Sequence, residues 1–368
     1  MKVPIKVQNR LTLRFISLAA LLIILIITAV RYQLMAMVHS LTGVRVSYFD
    51  IDRFSAVSLL DLLETPSDSR VRLAKLKGTS VLGRISMWVA FPATDAVVPG
   101  ASWYDPIWNS YDLPAFKNAD DIMSLSPCNG HDKVFIQIGA HLGIFPLVAA
   151  YRGCQGIAVE PMPAASNFSR ITAMINNWGP ERFLAINAIG SDTDGGNMWF
   201  DPSTISISTS ETDLSRKIRV PVTTLDVLND KYGMTSTDGQ SRFAFVIIDV
   251  EGHEQTVLMG AKRLIEKRSV LAFEIEVWTK QASKGLITYF PGLQLLIDNG
   301  YRLYTTAANA GMPFNSCDEI TNRIADLPRI FNQSCVSAKL PDTTCLGEVF
   351  AIRNDLPAFR QWFSACPK

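Results

Sequence analysis

From Lys133 onward, short apolar runs alternate with segments of helical periodicity, and this alternation restricts the possible folds more than any other feature. The apolar runs are VFIQI (134–138), GIAV (156–159), FLAINAI (183–189), FAFVIID (243–249) and VLAFEIEV (270–277). The segments between them include AASNFSRITAMINNW and EQTVLMGAKRLIEK. Strands that are apolar on both faces and separated by helices form parallel sheets covered by helices. We therefore predict a Rossmann-like α/β domain over 130–368, with a mostly parallel central sheet and helices on both faces.

Between the third and fourth of these runs the pattern is less regular. MWF (198–200) and IRVPV (218–222) have the character of short β segments, and TTLDVLNDKY has helical spacing. The Ser- and Thr-rich stretch 201–217 is predicted to be a loop.

Composition excludes one broad class of function. The chain has 368 residues, and its 35 Lys and Arg nearly balance its 34 Asp and Glu. Nucleic-acid binding proteins usually carry a basic excess or a basic stripe, and neither is present. We therefore expect no nucleic-acid partner.

The N-terminal segment is typical of a membrane anchor. Four basic residues precede FISLAALLIILIITAV (15–30), which contains no charge. The following residues extend this run to a length that could span a bilayer. The basic flank predicts a cytoplasmic tail at 1–14, a signal-anchor at 15–34 and a lumenal bulk in the endoplasmic reticulum or Golgi, the topology of a single-pass type II membrane protein. A cleaved signal peptide and a buried core helix are the alternatives.

Two regions separate this anchor from the α/β pattern. Residues 35–84 are mixed and polar, with a helical-looking SLLDLLE, and are predicted to be a stem. Residues 85–129 are rich in aromatic residues and proline. This lead-in is either a packed approach to the core or a lid that contributes to an acceptor-binding wall.

The cysteines favour an oxidising compartment. Four of the six lie in the C-terminal part, about 310–368, and none has C-x-x-C spacing; the six are Cys128, Cys154, Cys317, Cys335, Cys345 and Cys366. A zinc site is therefore not indicated, and we predict at least one disulfide among the last four. Scattered buried thiols in a cytosolic protein are the alternative. Asn167 and Asn332 begin glycosylation acceptor triplets.

Three turns of the pattern carry candidate ligand-binding residues. Gly139 and Gly143 flank the turn after the first strand, where glycine allows close backbone approach to a ligand. Glu160 ends the second strand about 20 residues later, a spacing that suits hydrogen bonds from ribose hydroxyls. Asp192 follows the third strand and either accepts from an adenine amino group or is a plain turn residue.

The fourth strand runs directly into a polar cluster. FVIIDVEGHE places Asp249, Glu251, His253 and Glu254 immediately after an apolar run. In open parallel sheets, ligands bind outside the carboxyl ends of the strands. We therefore expect these side chains to face a ligand-binding cleft.

Taken in order, IGAHLG, VEP, VPVTTLD, IIDVEGHEQTVLMGA and FEIE resemble the FkbM-like methyltransferases. The resemblance covers roughly residues 130–280, and DVEGxE followed by L-x-G-A is its most specific part. It implies the class I fold, S-adenosylmethionine as cofactor, and transfer of methyl groups mostly to hydroxyls, often on sugars or natural products.

The resemblance also implies roles for individual residues. A cofactor loop would comprise Gly139, Ala140 and Gly143, and Glu160 would hold the ribose. At the position of Gln137 the family usually has an aspartate that helps to hold the methionine ammonium. Glutamine supplies an acceptor oxygen there but no charge.

Transfer to a hydroxyl requires a group that accepts its proton. The predicted catalytic residues are Asp249, Glu251 and His253. His253 acts either as the base or in a structural role, and His141 is a second imidazole near the same strands. Alternatively, Asp249 and Glu251 bind a divalent cation. Glu274 and Glu276 share one face of the next strand and either line the acceptor pocket or lie at the end of the sheet.

The sequence therefore predicts a membrane-anchored O-methyltransferase that uses S-adenosylmethionine and acts on a glycan or glycoconjugate hydroxyl. One alternative is a nicotinamide-dependent sugar oxidoreductase, although the G-x-G-x-x-G fingerprint is absent. The other is a catalytically inactive methyltransferase-like binding module, which the glutamine at 137 would permit.

Overall fold

A computed structural model describes residues 71–80, 83–92, 123, 128, 132–203, 206–208, 217–233, 242–277, 290–306, 317–327, 329 and 347–356. The chain divides into two compact units, 1–73 and 74–368, and nearly all of the described residues belong to the second. The predicted α/β domain lies within that unit.

The domain is built around an eight-stranded sheet. Five strands run parallel to their neighbours, in the order β5 (Phe183–Ile186), β4 (Gln155–Val159), β3 (Val134–Ile138), β10 (Phe243–Ile248) and β11 (Ala272–Val277). Three antiparallel strands continue the sheet beyond β11: β14 (Gly347–Arg353), β12 (Tyr301–Thr306) and β13 (Cys317–Glu319). The predicted mostly parallel central sheet is confirmed.

Helices cover both faces of this sheet. Helices α1 (Ile144–Tyr151) and α2 (Pro163–Ile175) pack on one face, near β3, β4 and β5. The other face packs into the main core with α3 (Leu225–Tyr232), α4 (Glu254–Met259), α5 (Lys262–Glu266) and α6 (Pro291–Asp298). A short 3₁₀ turn, Ile324–Asp326, follows β13. In β3, alternate residues Val134, Ile136 and Ile138 face this core, as the period of a strand requires.

Two predicted elements are each divided in the structure. The run 183–189 leaves the sheet after Ile186, where the Asn187 side-chain amide donates to the carbonyls of Glu160 and Pro161. The predicted helix over 254–267 breaks at Gly260. A Cβ there would lie 1.9 Å from the Ser191 carbonyl oxygen, so the break lets the chain rest against that strand end.

A second, four-stranded sheet lies between β5 and β10 in the sequence. It contains β6 (Ile189–Gly190), β9 (Ile218–Thr223), β7 (Asn197–Asp201) and β8 (Ser206–Ser208), in that spatial order. β6 and β9 are parallel, and the other two pairings are antiparallel. The predicted loop 201–217 thus includes a strand. The sequence did not predict this sheet as a unit because β6 is only two residues long.

Two further strands precede the domain. β1 (Val71–Ser80) pairs with β2 (Gly83–Pro92), across the predicted boundary between stem and lead-in. The Ala90 amide donates to the Thr172 hydroxyl at 2.9 Å. The end of β2 is therefore tied to α2, whereas most of the stem and of the aromatic lead-in lies outside the described residues.

The described residues bear on the membrane and cysteine predictions only in part. None of the helices they form is long and apolar enough to cross a bilayer, and segment 15–34 lies outside them. Cys128 and Cys154 form a disulfide with their Cα atoms 4.9 Å apart, within the range such bonds require. The predicted disulfide among the last four cysteines lies outside the described side chains.

One of the two glycosylation triplets can be assessed. Asn167 lies inside α2, and the hydroxyl of Ser169 is fully buried and bonded to the Ala165 carbonyl. Glycosylation acceptors belong to surface segments, whereas this triplet lies in a helix with its serine buried and its asparagine half-buried. Asn332 lies outside the described residues.

Candidate active site

A cleft lies at the carboxyl ends of β3, β4 and β10. Its empty volume, which includes open solvent at its mouth, is about 710 Å³. The residues that line it follow these strands or belong to the second sheet: Gly139, His141, Glu160, Pro161, Ile189, Gly190, Phe200, Ile207, Asp249, Val250 and Glu251. The cleft therefore lies at the carboxyl ends of the central strands, where the sequence predicted it.

The turn after β3 owes its shape to left-handed backbone conformations. Gly139 and Gly143 have φ of +79° and +70°, and His141 between them has φ of +49°. A Cβ on Gly139 would lie 1.6 Å from the carbonyl oxygen of Asp249. Glycine at 139 therefore lets the β3 turn contact the end of β10, which brings two cleft walls together.

The backbone amides of this turn donate hydrogen bonds to other groups of the protein. Those of Gly139 and Ala140 both donate to the Val159 carbonyl, and that of Gly143 donates to Ala140. The His141 amide donates to the Glu160 carboxylate at 2.7 Å. The sequence predicted that the glycines let backbone N–H groups approach a ligand closely. In the structure the turn supplies space beside the strand ends, and Gly143 directly precedes α1 without lining the cleft.

Glu160 joins two strand ends. Its two carboxylate oxygens accept from the backbone amides of His141 and Met162, at 2.7 and 2.8 Å. The side chain is 4% exposed, and burial raises its pKa to about 7 despite these two bonds. Each oxygen retains a second lone pair, so the carboxylate can still accept from a ligand in the cleft.

Gln137 and Ala140 lie behind the cleft surface. Gln137 is 3% exposed on β3, and its Oε1 has no hydrogen-bond partner in the described part of the chain. An unpaired buried acceptor costs about 1–3 kcal/mol, so a donor at this position would be favourable. Ala140 is buried and contributes only its backbone to the turn.

The loop after β10 presents two carboxylates and is held by a third. Asp249 and Glu251 line the cleft, and Glu251 has a left-handed φ of +57°. Glu254 accepts from the amides of Gly252 and Val250, at 2.8 and 3.3 Å. The Glu254 side chain is 3% exposed, and burial raises its pKa to about 7. Glu254 therefore fixes the conformation of the loop from beneath it.

His253 and Asp192 lie beside the cleft lining and not within it. The His253 Nε2 is 3.5 Å from the Ser191 hydroxyl, which donates to Asp192. Burial lowers the pKa of His253, and the nearby Asp192 carboxylate opposes that effect. Asp192 itself is exposed. This position favours the structural role for His253, and the imidazole that lines the cleft is that of His141.

Sequence reasoning missed the apolar wall of the cleft and the hydrogen-bond partner of Glu276. Ile189, Phe200 and Ile207 come from three strands of the second sheet and line the cleft together. No local pattern joins them, because they meet only when that sheet forms. Glu276 hydrogen-bonds to Asp249 from the adjacent strand. The alternation of FEIE indicated a shared face for Glu276 but not this partner.

A metal site was the alternative for these carboxylates. Within the described ranges, no group of three or more His, Cys, Asp or Glu side chains is arranged to hold a metal ion. Three carboxylates line the cleft, and carboxylates accept hydrogen bonds and attract positive charge.

Comparison with solved structures returns methyltransferases at low similarity. The N-terminal domain of human METTL16 is 12% identical, with a TM-score of 0.34 over 66% of this chain and 70% of that one. The T. thermophilus 16S rRNA N2 G1207 methyltransferase RsmC, in complex with AdoMet and guanosine, is 11% identical. Its TM-score is 0.35 over 76% of this chain and 50% of that one. Values this low carry no weight for activity or substrate.

No curated protein matches the chain. The family model described as the methyltransferase FkbM domain matches residues 137–303. This range begins at Gln137 on β3 and ends in β12, and it contains every residue that lines the cleft. Residues 137–303 are therefore similar to the methyltransferase FkbM domain, as the resemblance of the sequence indicated.

Proposed function

We propose that the FkbM-like domain of this chain transfers a methyl group from S-adenosylmethionine to a hydroxyl group. The observation that carries the proposal is the cleft itself, where a buried Glu160 and the pair Asp249 and Glu251 converge from neighbouring strands. When bound, the cofactor supplies a methyl group activated by its sulfonium. The chain supplies orientation, which accounts for much of the rate in such displacements.

The residues of the cleft fit this cofactor. Glu160 has lone pairs left to accept from ribose hydroxyls, and the Oε1 of Gln137 is a buried acceptor suited to an ammonium. Phe200 and Ile207 supply apolar surface for the adenine of the cofactor. The glutamine at 137 thus retains the acceptor, although not the charge, of the family's usual aspartate.

Asp249 is the proposed proton acceptor for the hydroxyl. A hydroxyl is a weak nucleophile, and a positioned base contributes typically 10²–10⁴-fold to the rate. Asp249 lines the cleft, and burial raises its pKa, although the hydrogen bond from Glu276 opposes this effect. A carboxylate with a raised pKa is a stronger base than an exposed one. His141 lines the same space.

Calorimetric titration of the full-length chain tests the cofactor. We expect saturable binding of S-adenosylhomocysteine and no binding of NAD or NADP, because the cleft has acceptors for a ribose but lacks the dinucleotide glycine fingerprint. Binding of a nicotinamide dinucleotide instead would show the oxidoreductase alternative to be correct. Binding of neither class would leave the inactive module as the remaining interpretation.

A glycan acceptor in the lumen of the secretory pathway is the finer part of the proposal. The Cys128–Cys154 disulfide supports an oxidising compartment, and the basic flank before 15–34 supports a type II orientation. We expect the bulk of the chain to resist protease in intact microsomes, and glycans from cells lacking the protein to lose a methyl mass. Digestion without detergent, or unchanged glycans beside a changed small-molecule profile, would contradict this assignment.

A further inference from the structure

Asp249 has a carboxyl neighbour on the next strand. β10 and β11 are parallel, and Ile248 lies opposite Ile275 in their register. The residues that follow, Asp249 and Glu276, are therefore adjacent, and their side chains are hydrogen-bonded to each other. Two ionised carboxylates offer only acceptors, so this bond requires a shared proton.

Other acidic groups surround this pair. Glu251 and Glu254 act on Glu276 from the loop after β10, and Asp249 acts on Glu160 from across the cleft. Glu348 lies opposite Glu276 on β14. Burial raises the pKa of Glu276 well above its usual value, and the charges of Asp249, Glu251 and Glu254 add to this effect. The pair therefore retains its proton at a pH where isolated carboxyl groups are ionised.

Positive charge is scarce in the cleft wall. Its described lining contains three carboxylates, Glu160, Asp249 and Glu251, and neither lysine nor arginine. His141 is the one basic side chain in that lining. A ligand with positive charge near Asp249 would thus be attracted and would displace the shared proton, because a cation favours the ionised form of a nearby acid.

On the basis of the proposed function, we infer that Glu276, through its hydrogen bond to Asp249, makes the cleft discriminate the positively charged methyl donor from its neutral product. The donor and the product share the adenosine and amino acid parts. They differ in the methyl group and in the positive charge of the sulfonium. A group that responds to this charge therefore favours entry of the donor and release of the product.

The pair formed by Asp249 and Glu276 also accepts the proton that the hydroxyl loses in the reaction. With the donor bound, the pair gives up its shared proton to solvent and carries two negative charges. On transfer, the bond from sulfur to methyl breaks with its electrons left on sulfur, and a bond from the acceptor oxygen to methyl forms. The hydroxyl proton passes to Asp249 and is again shared with Glu276. Glu276 is thus a positioning residue that acts through Asp249.

Calorimetry can measure how many protons are released when a ligand binds. This measurement tests the role of Glu276 and needs no methyl acceptor. The full-length chain is titrated near pH 7 with S-adenosylmethionine or S-adenosylhomocysteine, in two buffers of different ionisation enthalpy. We expect the donor to release more protons than the product, by up to about one, because a cation near a protonated pair favours its ionisation. The affinity ratio of donor to product should also rise with pH. Protons linked to Glu160 cancel in this comparison, because both ligands carry the same ribose.

Two variants sharpen the comparison. Glu276→Gln keeps a hydrogen bond to Asp249 but removes the shared proton, so we expect the excess proton release to vanish and the donor-to-product affinity ratio to fall about tenfold. Glu266→Gln removes an exposed surface carboxylate and should behave as wild type.

Equal proton release by the two ligands in the wild type would overturn the inference, and this outcome does not depend on whether Glu276→Gln folds. Retention of the difference in folded Glu276→Gln would overturn it as well. If neither ligand binds the wild type, the proposed function fails, and the inference fails with it.

Discussion

Replacing Gly139 by alanine is expected to lower the free energy of unfolding by more than about 3 kcal/mol and to abolish binding of S-adenosylhomocysteine. The backbone at this position has φ of +79°, which costs an L-residue roughly 1–2 kcal/mol. The new Cβ would also lie 1.6 Å from the Asp249 carbonyl oxygen. The turn must then withdraw from β10, and both walls of the cleft move apart.

Substitutions at two other glycines separate the cost of backbone strain from the cost of steric overlap. Gly195 has φ of +84°, but a Cβ there meets nothing within 4 Å, so Gly195→Ala should cost only about 1 kcal/mol. Gly143→Ala should be intermediate, because its Cβ meets the Ser169 hydroxyl at 2.8 Å. Chemical unfolding of each full-length variant gives the order. Equal losses for Gly139→Ala and Gly195→Ala would show that the contact between the turn and β10 is unimportant.

Replacing Glu160 by alanine is expected to weaken binding of S-adenosylhomocysteine by about 100-fold, or ~3 kcal/mol. The substitution removes the proposed acceptor of the ribose hydroxyls. It also leaves the amides of His141 and Met162 without their common acceptor. His141 then loses the bond that holds its left-handed conformation, so the cleft wall loosens as the ligand contact is lost.

The pH dependence of binding provides a second measure of the same residue. The pKa of Glu160 is raised to about 7 by burial, and only the ionised carboxylate accepts with both oxygens. Affinity for S-adenosylhomocysteine should therefore increase as pH rises through 7 in the wild type, and Glu160→Gln should flatten this dependence. Glu266→Ala removes an exposed surface carboxylate and serves as the control. Unchanged affinity in folded Glu160→Ala would exclude the assigned role.

Much of the candidate site could be predicted from local sequence. Gly139 and Glu160 could be identified because a turn that needs positive φ and a carboxylate at a strand end follow from spacing alone. Asp249 and Glu251 could be placed in the cleft because parallel strands end at one edge of a sheet. His253 shows the limit of such reasoning. Its distance from the strand end in sequence resembles that of Glu251, yet its ring lies against Ser191.

The course of the chain through the middle of the domain was harder to predict. Asn187 interrupts an apolar run that has all the properties of one strand, and it does so by donating to carbonyls of the neighbouring strand end. The periodic helix is interrupted at Gly260, where a distant carbonyl lies in the space that a Cβ would occupy. Both interruptions depend on partners far away in sequence, which periodicity does not report.

The parallel α/β architecture, the resemblance to the FkbM-like methyltransferases and the carboxylates after β10 follow from the sequence alone, because each depends on residue types and spacings within one or two elements. Which side chains meet across elements is established only in the folded chain. The register of β10 and β11 places Asp249 beside Glu276, and the second sheet brings Phe200 and Ile207 to the cleft. These contacts join residues distant in the chain, and strand register and packing establish them only once the whole sheet has assembled.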